Sequence, residues 1–567
     1  MEKFLNLAIG FIGKNRAVII IFILSFWAVK PLFVDGYFPV HDATQVERVY
    51  EMSRALKEGQ FPVRWVADLG YGYGYPIFNF YSPFPYYAGA LLNIFGLDLI
   101  VATKGMFLIG ILLSGFFMFL LAKEFWGETG GIVSALFYIY APYHALDVYV
   151  RGAVGEYWAI AFLPLVFYGF YLVRKKGNLK SIFLGAIGLS GVILSHNITA
   201  IILAPILFFL IGWWIIEAYG RRKISTVYRL LLTGLLGLGL SAFFWLPAIL
   251  EVGYTNVNSQ IGGGADFRDH FIFLDQLWDG LWGYGGSAGR LSGISFKIGK
   301  AHILLSLAAL AIGFFEWLRK KRIKMEIFSP SLLLILAVFF STELSKPIWE
   351  FLSPMAYIQY PWRFLIFMIF TTSFLVGTTI YFLTNKKLKI ITAIFFVFIL
   401  IFFNAKYFTP KEFLSASNEN FISEENLKWK VSKVSDEYLP PNFPKPNSPQ
   451  DVVKQKLELF NPQGSIKPIY LKSDKYMAII DSKKGSQVLI KTPYFPGWQP
   501  FLDGRKVAYF VERYTYKINV PPGEHELLFI FKNTIPRNLG NFISLFSIAF
   551  IILQLVVKSK RLTWKRN

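Results

Sequence analysis

Along this chain, apolar stretches of near membrane-spanning length alternate with short runs that carry the basic residues, and no other feature narrows the possible folds as much. Ala17–Val34, Ile182–Leu194, Ala200–Ile216 and Ile390–Phe403 are examples. With their flanks they approach the roughly 20 residues needed to cross a hydrocarbon core as a helix. In lipid such a segment must satisfy its own backbone groups, so helix is the only open structure available to it. The composition agrees: 54% of the 567 residues are hydrophobic and only 17% are charged. That is too apolar for a soluble globular protein of this length.

A formal charge of +22 on a soluble chain points to nucleic acid. Here the basic residues gather between spans, at Lys14/Arg16, Arg174–Lys176, Arg221–Lys223, Arg319–Lys324, Lys386–Lys389 and Lys558–Arg566. That pattern removes nucleic acid as a partner and sets topology instead, because short cytoplasmic loops are the ones enriched in Lys and Arg. The expectation is a polytopic α-helical membrane protein of about 12 transmembrane helices with both termini inside, in the plasma membrane. Span one, Ala17–Val34, follows a basic N-terminus without a small-residue cleavage site and reads as a retained anchor. With no Cys in the sequence, disulfides and thiolate metal sites are excluded.

Alternating the sidedness assigns a transmembrane module to 1–404 with two large outer loops, 35–98 and 251–300. An outer, mainly β domain follows over 405–537, and 538–567 forms a last span with a basic cytoplasmic tail. In the outer domain the runs Tyr476–Ile480, Gln487–Lys491, Val507–Val511, Tyr516–Val520 and Glu526–Phe531 read as strands, with turns at Asp503-Gly504 and Pro522-Gly523. A small β-sandwich is expected, preceded by a Pro-rich linker at Tyr438–Pro449.

The first outer loop opens on His41-Asp42. The segment Ala43–Glu58 places Val46, Val49, Ser53 and Leu56 on one face, with Gly59 as a stop, and reads as a helix lying on the membrane surface. Asp42 with Gln45 fits a capping box. The aromatic run GYGYGYPIFNFYSPFPYY from Gly70 suits the membrane interface or a sugar or lipid surface.

The order of features resembles the GT-C superfamily of membrane glycosyltransferases. It rests on an acid after the first span (Asp42), Pro85-Tyr86-Tyr87 entering the second, Lys104 within that span, and a second acid after the third (Glu156). The whole chain resembles the YfhO-like family and the membrane proteins named "6-pyruvoyl-tetrahydropterin synthase-related". The pieces that carry this resemblance are HDA at His41, FPVRW at Phe61, RGAVGE at Arg151, LSHN at Leu194, QYPWRFL at Gln359, YFPGWQPFLDGRKV at Tyr494 and VPPGEHEL at Val520. A soluble pterin enzyme needs a set of metal-binding histidines, and the six here are scattered.

The resemblance implies a GT-C-like fold and transfer of a sugar from a polyprenyl-phosphate carrier. The partners are then membrane lipid, the carrier-linked sugar, and a glycan, lipid or protein acceptor. Because a lipid phosphate is already a good leaving group, one carboxylate to deprotonate the acceptor and cations to hold the phosphate suffice. Asp42 is the candidate base and Glu156 a second carboxylate that assists or binds a metal. Arg151, His196, Arg363 and Lys104 are the candidate phosphate-binding cations. Arg363 as an interfacial anchor, and His196 as a satisfied structural histidine, are the bland alternatives. The loop residues Asp266, Asp269, His270, Trp282 and Tyr284 are candidates for closing over acceptor or sugar. No cofactor is fixed, and a divalent metal is left open. The rivals are a transporter or flippase of a lipid-linked saccharide and a non-catalytic membrane protein whose β domain binds envelope polymer.

Overall fold

The computed structural model describes residues 15–460 and 464–564. Lys14 and the end of the basic tail, 565–567, lie outside them. Each of the two compact units is assembled from separated stretches. Unit one comprises Met1–Asp42, Lys104–Leu238 and Ile261–Ser415, and unit two comprises Ala43–Thr103, Gly239–Gln260 and Ala416–Asn567. Most of the segment 35–98 therefore belongs to the same unit as the C-terminal region.

Unit one is helical. By length and composition the described residues of the chain contain seven helices able to cross a membrane, or up to ten when each of three bent pairs is taken as one span. The stretch Leu99–Ile139 looks continuous, but Gly127 breaks it with φ 73° and ψ −179°, a conformation that glycine alone adopts without strain. Ile139 Cδ1 lies only 2.4 Å from where a Cβ on Gly115 would be. In a straight helix those residues are about 36 Å apart. The chain thus doubles back at Gly127 into a hairpin, as expected for spans two and three.

Helices Val154–Lys175 and Leu179–Ser195 pack with almost no separation. A Cβ at Gly169 would lie 2.2 Å from the Gly185 nitrogen, and one at Gly188 would lie 2.6 Å from the Val166 nitrogen. Small residues permit this approach, which supplies dispersion contacts where lipid offers no hydrophobic driving force. Val154–Lys175 and Pro361–Tyr381 are buried along most of their length, while Lys300–Lys320 and Lys386–Tyr407 are largely open. The two buried spans form the centre of this unit.

Among its described residues unit two carries nine antiparallel strands: β1 Leu457–Leu459, β2 Gly464–Lys472, β3 Lys475–Ser482, β4 Ser486–Pro493, β5 Trp498–Leu502, β6 Arg505–Lys506, β7 Phe510–Glu512, β8 Thr515–Val520 and β9 Gly523–Phe531. They form a four-stranded sheet, β1-β4-β8-β7, and a five-stranded sheet, β2-β3-β9-β5-β6. Trp498 stacks on Phe529 at 4.6 Å, and Tyr516 of the other sheet meets Phe529 edge-on at 5.0 Å, so the two sheets share one aromatic core. Four of the five expected strands fall within β3, β4, β8 and β9. Val507–Val511 instead straddles the gap between β6 and β7, and β2 and β5 carried no legible signal. β2 is exposed along most of its length, and β5 contains Pro500.

Three expectations for the first outer loop require correction. Helix Gln45–Lys57 does not lie on a surface: Val46, Glu47, Arg48, Val49, Glu51, Met52 and Ala55 are all buried. Protein groups reach its polar face, with Arg48 bonded to Ser435 Oγ (3.1 Å) and Asn426 donating to Glu47 (2.6 Å). Thr44 occupies the N-cap, so Asp42 does not cap this helix. Gly59, at φ 94°, does end it. The aromatic run is likewise interior packing, because Tyr71 meets Trp429, Tyr75 meets Tyr438 and Phe80 stacks on Tyr438.

Behind that run Glu251 accepts hydrogen bonds from Asn79 (2.9 Å), Thr534 (2.5 Å) and Arg537 (3.0 Å). Arg64 bonds to Asn79, the Phe243 carbonyl and Asn541. A buried charge is tolerated only when paired and hydrogen-bonded, and this network pairs Glu251 with Arg537, which is fully buried.

Candidate functional site

The candidate site of unit one grows from a break between two helices. Asp147–Arg151 is a π-helical turn; Gly152 follows at φ 67°, and the buried span Val154–Lys175 then starts with Glu156 in its first turn. This geometry folds Arg151 back between two carboxylates. It bonds to Asp147 and, through its other terminal nitrogen, to Glu156 Oε2 at 3.0 Å. Tyr143 donates to Glu156 Oε1 and accepts from Arg151 at 3.3 Å.

Arg363 approaches from the start of the second buried span. Its Nε lies 3.6 Å from Glu156 Oε2, and its terminal nitrogen is held by the Ile358 carbonyl (2.5 Å) and Gln359 Oε1 (2.9 Å). Gln359 adopts a left-handed φ of 66°, a costly backbone for a residue with a side chain. In that conformation it serves Arg363 from both its side chain and the preceding carbonyl. Each guanidinium also covers an aromatic face, Arg151 over Trp362 at 4.5 Å and Arg363 over Tyr360 at 4.9 Å. Tyr360 and Trp362 stack on each other at 5.0 Å. Two arginines thus share one buried carboxylate, with planar contacts that lysine does not reproduce.

Asp42 is tied to this cluster through its backbone. Its amide donates to the Arg151 carbonyl (2.8 Å) and the His41 amide donates to the Val150 carbonyl (3.0 Å), while both side chains stay exposed. A Cβ on Gly152 would lie 2.5 Å from Val40 Cγ2, so this close pairing depends on the glycine. Lys104 takes a different position: its ammonium donates to the Val34 (2.7 Å) and Gly36 (3.1 Å) carbonyls and braces the segment leading to His41-Asp42.

His196 accepts the Thr199 amide proton at Nδ1 (3.3 Å) and so caps helix Asn197–Gly220, which assigns the ring proton to Nε2. The edge of its ring, Cδ2, lies 3.5 Å from a notional Cβ on Gly155, against the first turn that carries Glu156.

From residue 261 onward the expected acceptor or sugar loop is tied into unit one. His270 is held by the Ser287 and Gly264 carbonyls, and its ring meets Tyr360 edge-on at 4.7 Å, behind Arg363. Asp266 caps its own short turn at Arg268, and the Asp269 carbonyl accepts from Gly289. Trp282 packs on Tyr407 at 4.5 Å. Tyr284 donates to the Thr409 carbonyl, and its own carbonyl bonds to His41 Nε2 at 2.9 Å. Hydrogen bonds from Lys300 and Lys297 hold the Asp279 carboxyl below the ordinary carboxylate range.

The structure therefore brings Asp42, Arg151, Glu156, Arg363 and His196 to one region, with His270 one ring away. Tyr284 reaches this region only through its carbonyl on His41, while Lys104 and Trp282 are engaged elsewhere in the same unit. Sequence reasoning missed Asp147, Tyr143, Gln359, Tyr360 and Trp362 as partners. The four-residue spacing of Asp147 and Arg151 was a legible signal for the first of them, and the QYPWRFL stretch held Gln359, Tyr360 and Trp362 without assigning them a role. Among the described residues, no group of three or more His, Asp or Glu side chains is arranged to hold a metal ion.

The family described as "6-pyruvoyl-tetrahydropterin synthase related domain; membrane protein" matches residues 78–410. An uncharacterised protein of Lactococcus lactis subsp. cremoris (strain MG1363) is 24% identical over 273 residues, which are 47% of this chain and 44% of that one. The chain thus spans less than half the length of that relative. Among solved structures it is similar to the apo oligosaccharyltransferase of Archaeoglobus fulgidus (TM-score 0.45, 12% identity, 78% of this chain and 62% of that one). It is also similar to the mycobacterial arabinofuranosyltransferase AftD (TM-score 0.41, 13% identity, 70% of this chain and 27% of that one). A third similarity is to ArnT of Cupriavidus metallidurans bound to undecaprenyl phosphate (TM-score 0.31, 12% identity, 66% of this chain and 78% of that one).

Proposed function

The chain belongs to the family of membrane proteins described as 6-pyruvoyl-tetrahydropterin synthase related, and from that premise we propose that it is a glycosyltransferase. It moves a sugar from a polyprenyl-phosphate donor to an acceptor on the outer face of the membrane, with Asp42 as general base. Direct attack by the acceptor hydroxyl forms the new glycosidic bond as the bond from the anomeric carbon to the phosphate oxygen breaks. The acceptor proton passes to the Asp42 carboxylate, the phosphate leaves with the bonding pair, and the anomeric centre inverts.

One observation carries the reading: an exposed carboxylate, Asp42, is hydrogen-bonded through its backbone to the Arg151 turn, whose guanidinium belongs to a buried two-arginine cluster. Arg151 is neutralised by Asp147 and Glu156, so its part is to position the turn. Arg363 shares Glu156 at a longer 3.6 Å and is the phosphate-binding cation of the proposal, with the Nε2 proton of His196 as a second donor. Glu156 holds both arginines rather than a metal, and Lys104 braces the segment before Asp42. The proposed orientation keeps both termini in the cytoplasm and the β-sheets outside. It has about twelve crossings, with the Gly127 hairpin supplying two and Leu179–Ser195 a short one.

Asp42→Asn tests the reading in reconstituted vesicles. Because the side chain is exposed, the variant folds as the parent does, and transfer falls by about 10²–10⁴-fold. Undiminished turnover removes Asp42 from the mechanism.

A further inference from the structure

Unit two contains a half-open cavity of about 220 Å³ lined by Asn256, Asp436, Leu439, Pro440, Asn442, Phe443 and Lys445. This is smaller than the roughly 300–1,000 Å³ of pockets for drug-sized ligands, and it admits a single sugar-sized ring. Its wall is the segment that composition marks as a Pro-rich linker. Four prolines between 440 and 446 stiffen it, and the Asn256 amide pins it through the Leu439 carbonyl (2.9 Å). Asn442 turns the strap with a φ of 59°, a left-handed conformation that Asn tolerates better than most residues.

The polar groups around the cavity converge from separate parts of the unit. Asp436 accepts from Tyr71 (3.0 Å) and Lys445 (2.6 Å), both on Oδ2, and among the described residues no donor reaches Oδ1. The side-chain amides of Asn256 and Asn442 likewise make no hydrogen bond to the described residues. One carboxylate oxygen, two amides and an ammonium on a rigid wall match the vicinal hydroxyls of a pyranose, each of which donates and accepts. Beside them, Phe443 packs edge-on with Tyr73 at 5.0 Å and provides an apolar flank. Little ordering accompanies binding, because the prolines already hold the wall in place.

We propose that this cavity is a saccharide-binding subsite that takes one neutral pyranose unit, with Asp436, Asn256 and Asn442 receiving its hydroxyls. The inference goes beyond the transfer reaction and does not rest on it. The charged pair does not redirect the site to anions, because Lys445 is already bound to Asp436.

The test uses the full-length protein in nanodiscs with methyl glucopyranoside, methyl galactopyranoside and methyl rhamnopyranoside as probes, read by saturation-transfer NMR, and with inorganic phosphate as the anionic control. The expected result is transfer to the ring protons of at least one neutral probe. Affinity should weaken roughly tenfold in Asp436→Asn, where a charge-assisted acceptor is lost. Asn442→Gly keeps the left-handed backbone and removes the amide, so it should weaken binding at an unchanged melting temperature. Asp42→Asn should bind as the parent does, which separates this inference from the transferase reading. No signal from any neutral probe, equal signals in both pocket variants, or displacement of the probe by phosphate each overturns it.

Discussion

Gly152 meets two demands at once. Its φ of 67° turns the chain out of the π-helical turn, and its missing Cβ lets Val40 close on it and bring Asp42 against the Arg151 carbonyl. Gly152→Ala should therefore cost about 1–3 kcal/mol in stability. It should also lower transfer beyond that loss, because Asp42 shifts; melting temperature and turnover measured on one preparation check both. Glu156 is the second such residue. Replacing it by Gln leaves two guanidinium groups sharing a neutral amide in a buried setting, and losing one partner of a buried ion pair typically costs about 3–5 kcal/mol. A thermal melt of Glu156→Gln in detergent indistinguishable from that of the parent contradicts this account.

At the scale of the element, helix Gln45–Lys57 differs most from its sequence pattern. Its apolar face suggested a partner on one side only, yet acids on the other side are buried too. Burial pushes the Glu51 carboxyl up to about 8, with Asp68 adding to the shift, and burial pushes Glu47 up to about 7. The direction for stability follows from proton counting. Above the ordinary value of 4.5 the unfolded chain releases these protons while the folded chain retains them. Folding stability therefore falls as pH rises from about 4.5 toward 7–8 and levels off above that range. Glu51→Gln should flatten part of this slope in melting temperatures recorded across pH 5–9, and an unaltered slope excludes Glu51 as its source. The Pro-rich strap shows a related lesson. Proline content at 438–449 reads as linker, but prolines also make a stiff wall when neighbouring aromatics pack against it.

For the molecule as a whole, the absence of cysteine makes the proposed orientation directly testable. Asp503 and Lys387 are both exposed. Asp503→Cys should react with a membrane-impermeant maleimide applied to intact cells, whereas Lys387→Cys should react only after the membrane is opened. The opposite pattern reverses the proposed topology and with it the face on which Asp42 is proposed to act.

The apolar stretches by themselves determined that this chain is a helical membrane protein, because a run near the bilayer thickness has no other way to satisfy its backbone. Local alternation likewise determined four of the expected strands, whereas Asp42, Arg151, Glu156 and Arg363 were singled out through the family resemblance. The tertiary structure alone decided that Ala43–Thr103 packs with the C-terminal region, that the aromatic run is interior, and that Arg151 is neutralised before any ligand arrives. The physical reason is range. Periodicity and composition act over one or two turns of chain, whereas burial and ion pairing join residues hundreds of positions apart, as Arg48 with Ser435 and Arg363 with Glu156 do here.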